Sequence, residues 1–527
     1  MSAARPSWGP LLATAVLVGL GVGLVYRATL LPDVGLWDTA EAQTVPPILG
    51  TMHPTGYPAY VLLGWLATVV LGPIATAALA MNALSAACLA VAAGATVIVT
   101  GLLTGRALLG VAAGLGFGLT PVAWRLGTAA DVHALHVALV ALLLAALVAW
   151  DRARMDAVLA DGSRAPRAAT ADRWLLAAAA LYGLALADHR LALLLAPGIA
   201  AYVLVVEPGL LRRRRFLLAL AGLSIGLPAL LYLELPIRAG LLPAGLVYGH
   251  PDTLGGFLAV VLGTQFAGAS TTAVTDPAAA VSGGVAIVAG QLGPLAALVV
   301  PAAVVVAIGR PRFAVLTVPG VLLTVAFDLV YDNAAIERYW AVPLLVAWIW
   351  LAVAAGALLD LVVGSGERRR AGEVGRSRRP ALVAGAGTAL ATAILLMPTV
   401  LGLPGLWRDT DASDDIVGRR WLEAVLAALP QDAVVVSWWS YSTPLWYAQQ
   451  VEHRRLDLRV VDDRTRLDEG LGTVDDVIDA NLGRRPVFLI RADQTEIAHL
   501  IGRYRLGVVS IPVGESLLRV DGRQATP

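Results

Sequence analysis

Residues 37–58 read WDTAEAQTVPPILGTMHPTGYP and come just after the first long apolar segment, which runs from about Pro10 to Leu31. The stretch holds Asp38, Glu41 and His53 and contains no Arg or Lys. An apolar helix long enough to cross a bilayer delivers it straight to the membrane surface. Pro46, Pro47, Pro54 and Pro58 restrict its backbone, so the acids sit on a stiff tether rather than a free linker. Asp38 and Glu41 lie three residues apart, which places them on one face of a short helix. In that arrangement one carboxylate acts as general base and the other orients it or holds a cation; two solvated acids on a loop are the plain alternative.

The rest of the chain explains why a membrane enters the argument. Of 527 residues, 58% are hydrophobic and 15% charged, with a mean hydropathy of +0.73. One soluble core of this size could not hide so much apolar surface. Apolar runs fall near 10–31, 57–72, 76–104, 107–122, 133–150, 174–187, 190–207, 216–235, 278–309, 313–331, 339–363 and 381–404. They predict a polytopic α-helical membrane protein with roughly eleven to thirteen spans. The first is too long for the apolar region of a cleaved signal and reads as a retained helix. The formal net charge of +1 gives no bulk attraction to nucleic acid. All basic residues other than histidine are Arg, and with the Ala, Gly, Val and Leu content this reads as a bacterial sequence from a GC-rich genome, hence a bacterial plasma membrane protein. Cys88, the one cysteine, excludes intrachain disulfides and reads as a packing residue.

Arginine placement orients the spans. Clusters at Arg152–Arg173, Arg212–Arg215, Arg310–Arg312 and Arg368–Arg379 mark cytoplasmic loops. The loops near 32–56, 236–256 and 332–338 then lie on the opposite face, and the tail from about Leu406 to Pro527 is extracytoplasmic. Four apolar runs separate the first outer loop from Arg152 where parity requires an odd number; the short Tyr57–Gly72 piece is the suspect. The tail has another texture. AVVVSWW (433–439), LRVVDD (458–463), PVFLIRA (486–492) and GVVSIPV (507–513) predict short strands, with helical patterns at 415–429 and 474–482 between them. This predicts a small α/β domain over 406–527 beside a membrane domain over 1–405, without a glycine-rich phosphate loop.

Other residues could carry chemistry. Asp188, His189 and Arg190 fall at the outer end of a helical hairpin, where ionisable groups between apolar spans are costly; a fixed cation for phosphate and a local ion pair are the two readings. Arg238 is a second such cation, with snorkelling to the interface as its alternative. Arg338, in Glu337-Arg338-Tyr339, either binds phosphate in a bidentate manner or pairs with Glu337. Asp131 and His133 stand two apart and point to different faces of a helix. Asp38, Glu41, His53 and Asp131 offer ligands of the type Mg²⁺ or Mn²⁺ accepts, but no spacing signature marks a metal site, and no cofactor is required. Trp438, Trp439, Tyr441, Trp446 and Tyr447 form an aromatic cluster that reads as core or interfacial belt before it reads as a sugar platform.

These motifs carry a family resemblance. Asp38-Thr39-Ala40-Glu41 followed by His53-Pro54-Thr55-Gly56-Tyr57-Pro58 resembles the D-S-G-E and H-P-P-G-Y-P of the first external loop in the GT-C superfamily of membrane glycosyltransferases, nearest to the transmembrane protein O-mannosyltransferases of the plexin-modifying type. Asn82 to Ala86 resembles an N-x-x-S-A helix start. WRLGTAADVHALH (124–136) resembles W-S-Q-x-A-x-x-A-E-V-Y-x-L-x, with Asp131 for Glu and His133 for Tyr. GLALADHRLALLLAP (183–197) resembles G-L-x-x-x-N-H-x-x-x-x-L-x-x-P, with Asp188 for Asn, and YLELPIRA (232–239) resembles Y-L-Y-L-P-I-R-A. The likeness is good to about residue 260 and looser beyond.

The resemblance implies a polyprenyl-phosphate-sugar donor, mannose as the sugar, inverting transfer, and an acceptor hydroxyl on a protein or a cell-envelope glycan. It implies an acid of the first external loop as base, Asp38 before Glu41, with His53 and Tyr57 beside the substrate. A transporter or flippase of a lipid-linked or small solute is the second reading, although no inverted symmetry is visible. A non-catalytic scaffold with an external binding domain is the third.

Overall fold

The computed structural model describes residues 7–159, 164–266, 276–370, 379–491 and 493–524. Most of the basic loop at 368–379 and the last residue of the 486–492 strand prediction lie outside the described residues. Among the described residues, eight helices are long and apolar enough to cross a membrane: Trp8–Ala28, Ala77–Thr104, Val132–Ala157, Arg214–Leu241, Pro277–Gly309, Pro311–Val330, Ile336–Val362 and Ala384–Thr410. Ala107–Gly118 and Pro121–Thr128, bent by 65° at their junction, make a ninth if counted as one span. The larger number expected from the sequence counted apolar runs, and several runs make short helices. Pro58–Leu71 has 14 residues, about 21 Å of helix against a hydrocarbon core of about 30 Å. The run at 190–207 opens with a 3₁₀ segment, Arg190–Leu195, before the helix Ala196–Val206.

With Pro58–Leu71 too short to span and the bent pair counted as one span, three crossings separate the first loop from Arg152, and the parity closes. Two layers of polar contacts fix that path. At one end of the bundle, Asn82 at the start of Ala77–Thr104 donates to the Leu31 carbonyl (2.8 Å) and accepts from the Ala130 amide (2.9 Å). At the other end, Arg106 pairs with Asp360 (2.7 Å), Arg312 with Asp151 (2.8 Å), Arg310 donates to the Leu103 carbonyl, and Arg213 bridges Asp172 and Glu207. The arginine-rich turns therefore share one end of the bundle, and the 37–58 segment lies at the opposite end. Between the layers the core is dry and tight, with Trp124, Trp150, Trp348 and Tyr26 all but sealed from solvent.

The tail folds as an α/β domain. β1 (Val434–Val436), β2 (Arg459–Val461), β3 (Val487–Leu489), β4 (Tyr504–Val509) and β5 (Leu517–Arg523) form one sheet in the order β2-β1-β3-β5-β4. β2, β1 and β3 run parallel, and β5 and β4 complete the sheet antiparallel. β1 is buried throughout, as a central parallel strand covered on both faces must be. Helix Val417–Ala428 follows directly on the last span and covers the sheet with Trp421, Leu422 and Val425.

The domain is clamped onto the first loop. Arg419 grips Asp33 with two hydrogen bonds, 2.8 and 3.0 Å. Thr443 donates to the Trp37 carbonyl (3.0 Å), and the Tyr447 hydroxyl accepts from the Ala78 amide (3.2 Å). A bidentate, half-buried Arg–carboxylate pair contributes about 2 kcal/mol. Arg419→Ala is therefore expected to lower the thermal midpoint of the detergent-solubilised protein and speed proteolysis between Thr410 and Val417. An unchanged melting curve and digestion pattern would show that the clamp lies elsewhere.

Candidate active site

Helix Trp37–Thr44 carries Asp38 in its first turn. Asp38 keeps 36% of its side-chain surface open, whereas Glu41 is fully buried. The two acids do not pair as the spacing suggested; each has its own cation. The Glu41 carboxylate accepts from the His53 amide (2.7 Å) and is ion-paired with the His53 ring. That double contact closes the loop between them. Leu49 and Tyr57 take left-handed conformations, and Gly56, at φ +83°, supplies one that a side chain resists. Pro58 then starts the next helix at its first position. Arg238 braces the same loop from outside, donating to the carbonyls of Leu49 (2.7 Å) and Ile48 (3.1 Å).

Asp38 faces two partners from far along the chain. Arg338 donates to one carboxylate oxygen at 2.6 Å, and the Trp439 indole donates to the other at 2.9 Å. Arg338 also reaches Asp131 at 3.2 Å. Asp131 sits just before helix Val132–Leu159 and accepts from both the amide and the ring of His133 at 2.8 Å. Glu337, the adjacent acid, pairs with Arg125 and leaves Arg338 free for the two aspartates.

A cavity of about 460 Å³ opens over this bridge. Its walls include Asp38, His53, Tyr57, His189, Arg190, Arg338 and Tyr339 from the membrane domain, and Trp438, Trp439, Asp463 and Arg464 from the tail. Arg190 donates to the Leu262 carbonyl (3.2 Å) and forms no ion pair among the described residues, so the local ion pair, one of the two readings from the sequence, is not formed. His189 uses Nδ1 to accept from the Leu191 amide and stacks near His133. Asp188 lies beneath, fully buried, and is not part of the cavity wall. Asp131 and His133 line a small recess shared with Asp38, Tyr57 and Arg338. Arg238 and Glu41 support the loop and do not line the cavity.

Electrostatics follow from these pairings. Burial works against ionisation of Asp38, but the positive charges of His53 and Arg338 outweigh it and hold the carboxyl below its ordinary range. Asp131 is held low in the same way, against burial, by His133 and Arg338. Burial pushes Glu41 up. Burial alone would push His53 down, yet the Glu41 and Asp38 carboxylates raise it above the usual 6.5. Among the described residues no three His, Cys, Asp or Glu side chains converge as a metal site. The donor set does not fit a divalent ion here: Asp38 and Asp131 share a guanidinium, and Glu41 holds an imidazole.

Sequence reasoning missed several cavity residues. Tyr248, Gln265, Asn333, Asp463, Arg464 and Leu467 sit in unremarkable stretches, and Trp438 and Trp439 were read first as core or belt. The pairing of the loop acids with tail aromatics carries no periodic signal. Tyr441, Trp446 and Tyr447 do form the tail's core as expected.

The Glu41–His53 pair takes up proton on folding, so its stabilisation is fully present below about pH 6.5 and declines as pH rises through the folded-state value of His53. Thermal midpoints measured from pH 6 to 9 are expected to fall more steeply for the wild type than for His53→Gln. Parallel slopes would contradict the assignment.

Comparison with known proteins places this geometry. Residues 38–210 match the family model of the protein O-mannosyl-transferase TMEM260 N-terminal domain. The fold is similar to that of ArnT from Cupriavidus metallidurans bound to undecaprenyl phosphate: TM-score 0.56 at 13% identity, covering 97% of this chain and 98% of that one. It is also similar to the archaeal oligosaccharyltransferase AglB from Archaeoglobus fulgidus in complex with an inhibitory peptide and a dolichol-phosphate, with TM-score 0.53, 14% identity, and 92% and 70% of the two chains covered. The chain is thus similar in fold to these two membrane proteins, and its N-terminal region over 38–210 matches the TMEM260 N-terminal family model.

Proposed function

We propose that this protein transfers mannose from a polyprenyl-phosphate carrier to a hydroxyl of a protein acceptor, with inversion, on the outer face of a bacterial plasma membrane. The observation that carries the reading is the Asp38–Arg338–Asp131 bridge at the floor of a cavity roofed by the tail. The matched family model supports the sugar and acceptor class, and the lipid phosphates bound by the two similar folds support the carrier. Sidedness follows from the arginine-rich turns at the far end of the bundle, which stay cytoplasmic. The cavity and the tail then face outward.

In the resting site Asp38 is a poor base because Arg338 stabilises its charged form. An arriving phosphate competes for that guanidinium, since Arg binds phosphate oxygens in the same forked manner. With Arg338 and Arg190 on the phosphate, Asp38 regains basicity only when donor is present. The acceptor oxygen then attacks the anomeric carbon from the side opposite the phosphate. The bond from that carbon to the phosphate oxygen breaks, the hydroxyl proton passes to Asp38, and polyprenyl phosphate leaves with its charge stabilised by the two arginines. Asp131, held by His133, keeps the guanidinium in place as it changes partners, and Trp439 keeps the Asp38 carboxylate aimed.

Asp38→Asn keeps the side chain's shape but removes the proton acceptor. It is expected to lower transfer by about 10²–10⁴-fold while polyprenyl phosphate still binds and the protein still folds. Wild-type turnover by that variant in a radiolabelled-donor assay would rule out Asp38 as the base. Because Arg338 supplies the phosphate-facing charge, transfer is expected to persist in excess EDTA and to collapse in Arg338→Ala; loss in EDTA that Mn²⁺ or Mg²⁺ restores would show that a metal carries the charge instead.

A further inference from the structure

The tail has a second cavity that the donor site does not use. β2, β1 and β3 are parallel and end along one edge of the sheet, each followed by a polar or aromatic residue: Asp463 after β2, Trp438 after β1 and Arg491 after β3. In open α/β sheets ligands gather beyond the carboxyl ends of parallel strands. Here a cleft of about 700 Å³ lies at that edge. Its back is rigid. The Arg491 side chain is 9% exposed and donates to the Ser437 carbonyl (2.9 Å), to Asp463 (3.1 Å) and to Glu496 (2.6 Å), tying all three strand ends together.

That network fixes the sign of the cleft. Asp463, Asp493 and Glu496 bring three carboxylates to its wall; Arg491 pairs with two of them, Arg466 also reaches Asp463 (3.4 Å), and His499 in the same wall pairs with Asp475 (3.0 Å), so the net negative charge centres on Asp493. Asp493 caps helix Gln494–Arg503 by accepting from the Glu496 amide (2.9 Å) and pairs with no arginine among the described residues. Trp438 stands at the other side. It and Asp463 belong to the walls of both this cleft and the donor cavity, so one indole separates the two spaces. The Trp438 ring packs edge-on against Trp37, next to Asp38 (5.5 Å between ring centroids), and its buried N–H has no hydrogen-bond partner among the described residues. A chain lying in the cleft and crossing that ring arrives at Asp38.

We propose that this strand-end cleft binds the flank of an extended polypeptide acceptor and selects basic over acidic residues there. The inference rests on the reading of the acceptor as a protein hydroxyl and adds where its flank sits and what charge it carries. An indole is about 7 Å across, so about two to four extended residues separate the modified hydroxyl from the basic side chain.

The test uses the full-length enzyme with polyprenyl-phosphate-mannose and two Gly/Ala peptides that share one Thr and differ three residues away, Arg in one and Glu in the other. The wild type is expected to favour the Arg peptide by about tenfold in kcat/KM at low salt, less at high salt. In the double variant Asp493→Asn/Thr495→Lys the preference is expected to shrink to within about twofold or reverse. Asn caps a helix as well as Asp does, and Thr495 is exposed, so the domain keeps its fold. Equal wild-type rates on the two peptides, or a preference that survives the double variant, would overturn the assignment of the cleft. Cleavage of the donor with neither peptide modified would overturn the polypeptide as acceptor and the cleft's role with it. Absence of donor cleavage by the folded wild type would instead bring down the glycosyl-transfer reading beneath both.

Discussion

One guanidinium holds the site together. Arg338 lies between Asp38 and Asp131, which stand 300 and 207 residues before it in the chain. A cation at the end of an apolar bundle is costly unless its charge is met, and two carboxylates meet it. The value of such a bridge is specificity rather than stability. It fixes which helix ends may approach one another, and so it fixes the floor of the cavity. It also keeps the proposed base quiet until an anion arrives to take the arginine away.

The tail domain completes the enclosure. Trp439 bonds Asp38, Trp438 packs on Trp37, and Arg464 joins the cavity wall while pairing with Asp468. Asp468 in turn accepts from the Gly249 amide of the membrane domain (3.0 Å). The first loop is thus held from both sides, by Arg238 below and by the tail above. This arrangement encloses the site of the proposed transfer, in which water would be the competing nucleophile. It also couples the folding of the tail to the geometry of Asp38, although the two belong to separate layers of the protein.

Part of this was legible in the sequence. Asp38, Glu41 and His53 stand out because charged residues are rare in so apolar a chain and because prolines fix their backbone. The strands at 434–436, 459–461 and 487–489 announce themselves as runs of Val, Leu and Phe. β5, Leu517–Arg523, does not: although it lies between β3 and β4, it carries Arg519, Asp521 and Gly522 and is only partly buried, so the apolar signal is diluted. Helix counting went astray for a different reason. The length of an apolar run is not the length of a helix, and Pro58–Leu71 and Ala196–Val206 show how far they can differ. The partners of Arg338 were beyond reach altogether. Contacts across such sequence distances leave no spacing to read, and Glu337 next door was the more obvious mate.

The central claim is that Arg338 changes partners when the donor binds. A structure determined with polyprenyl phosphate in the cavity tests it most directly. The account predicts the phosphate between Arg338 and Arg190, with the Arg338–Asp38 contact of 2.6 Å opened beyond hydrogen-bonding distance and the Asp131 contact kept. A phosphate bound elsewhere, with Arg338 still closed on Asp38, would contradict it.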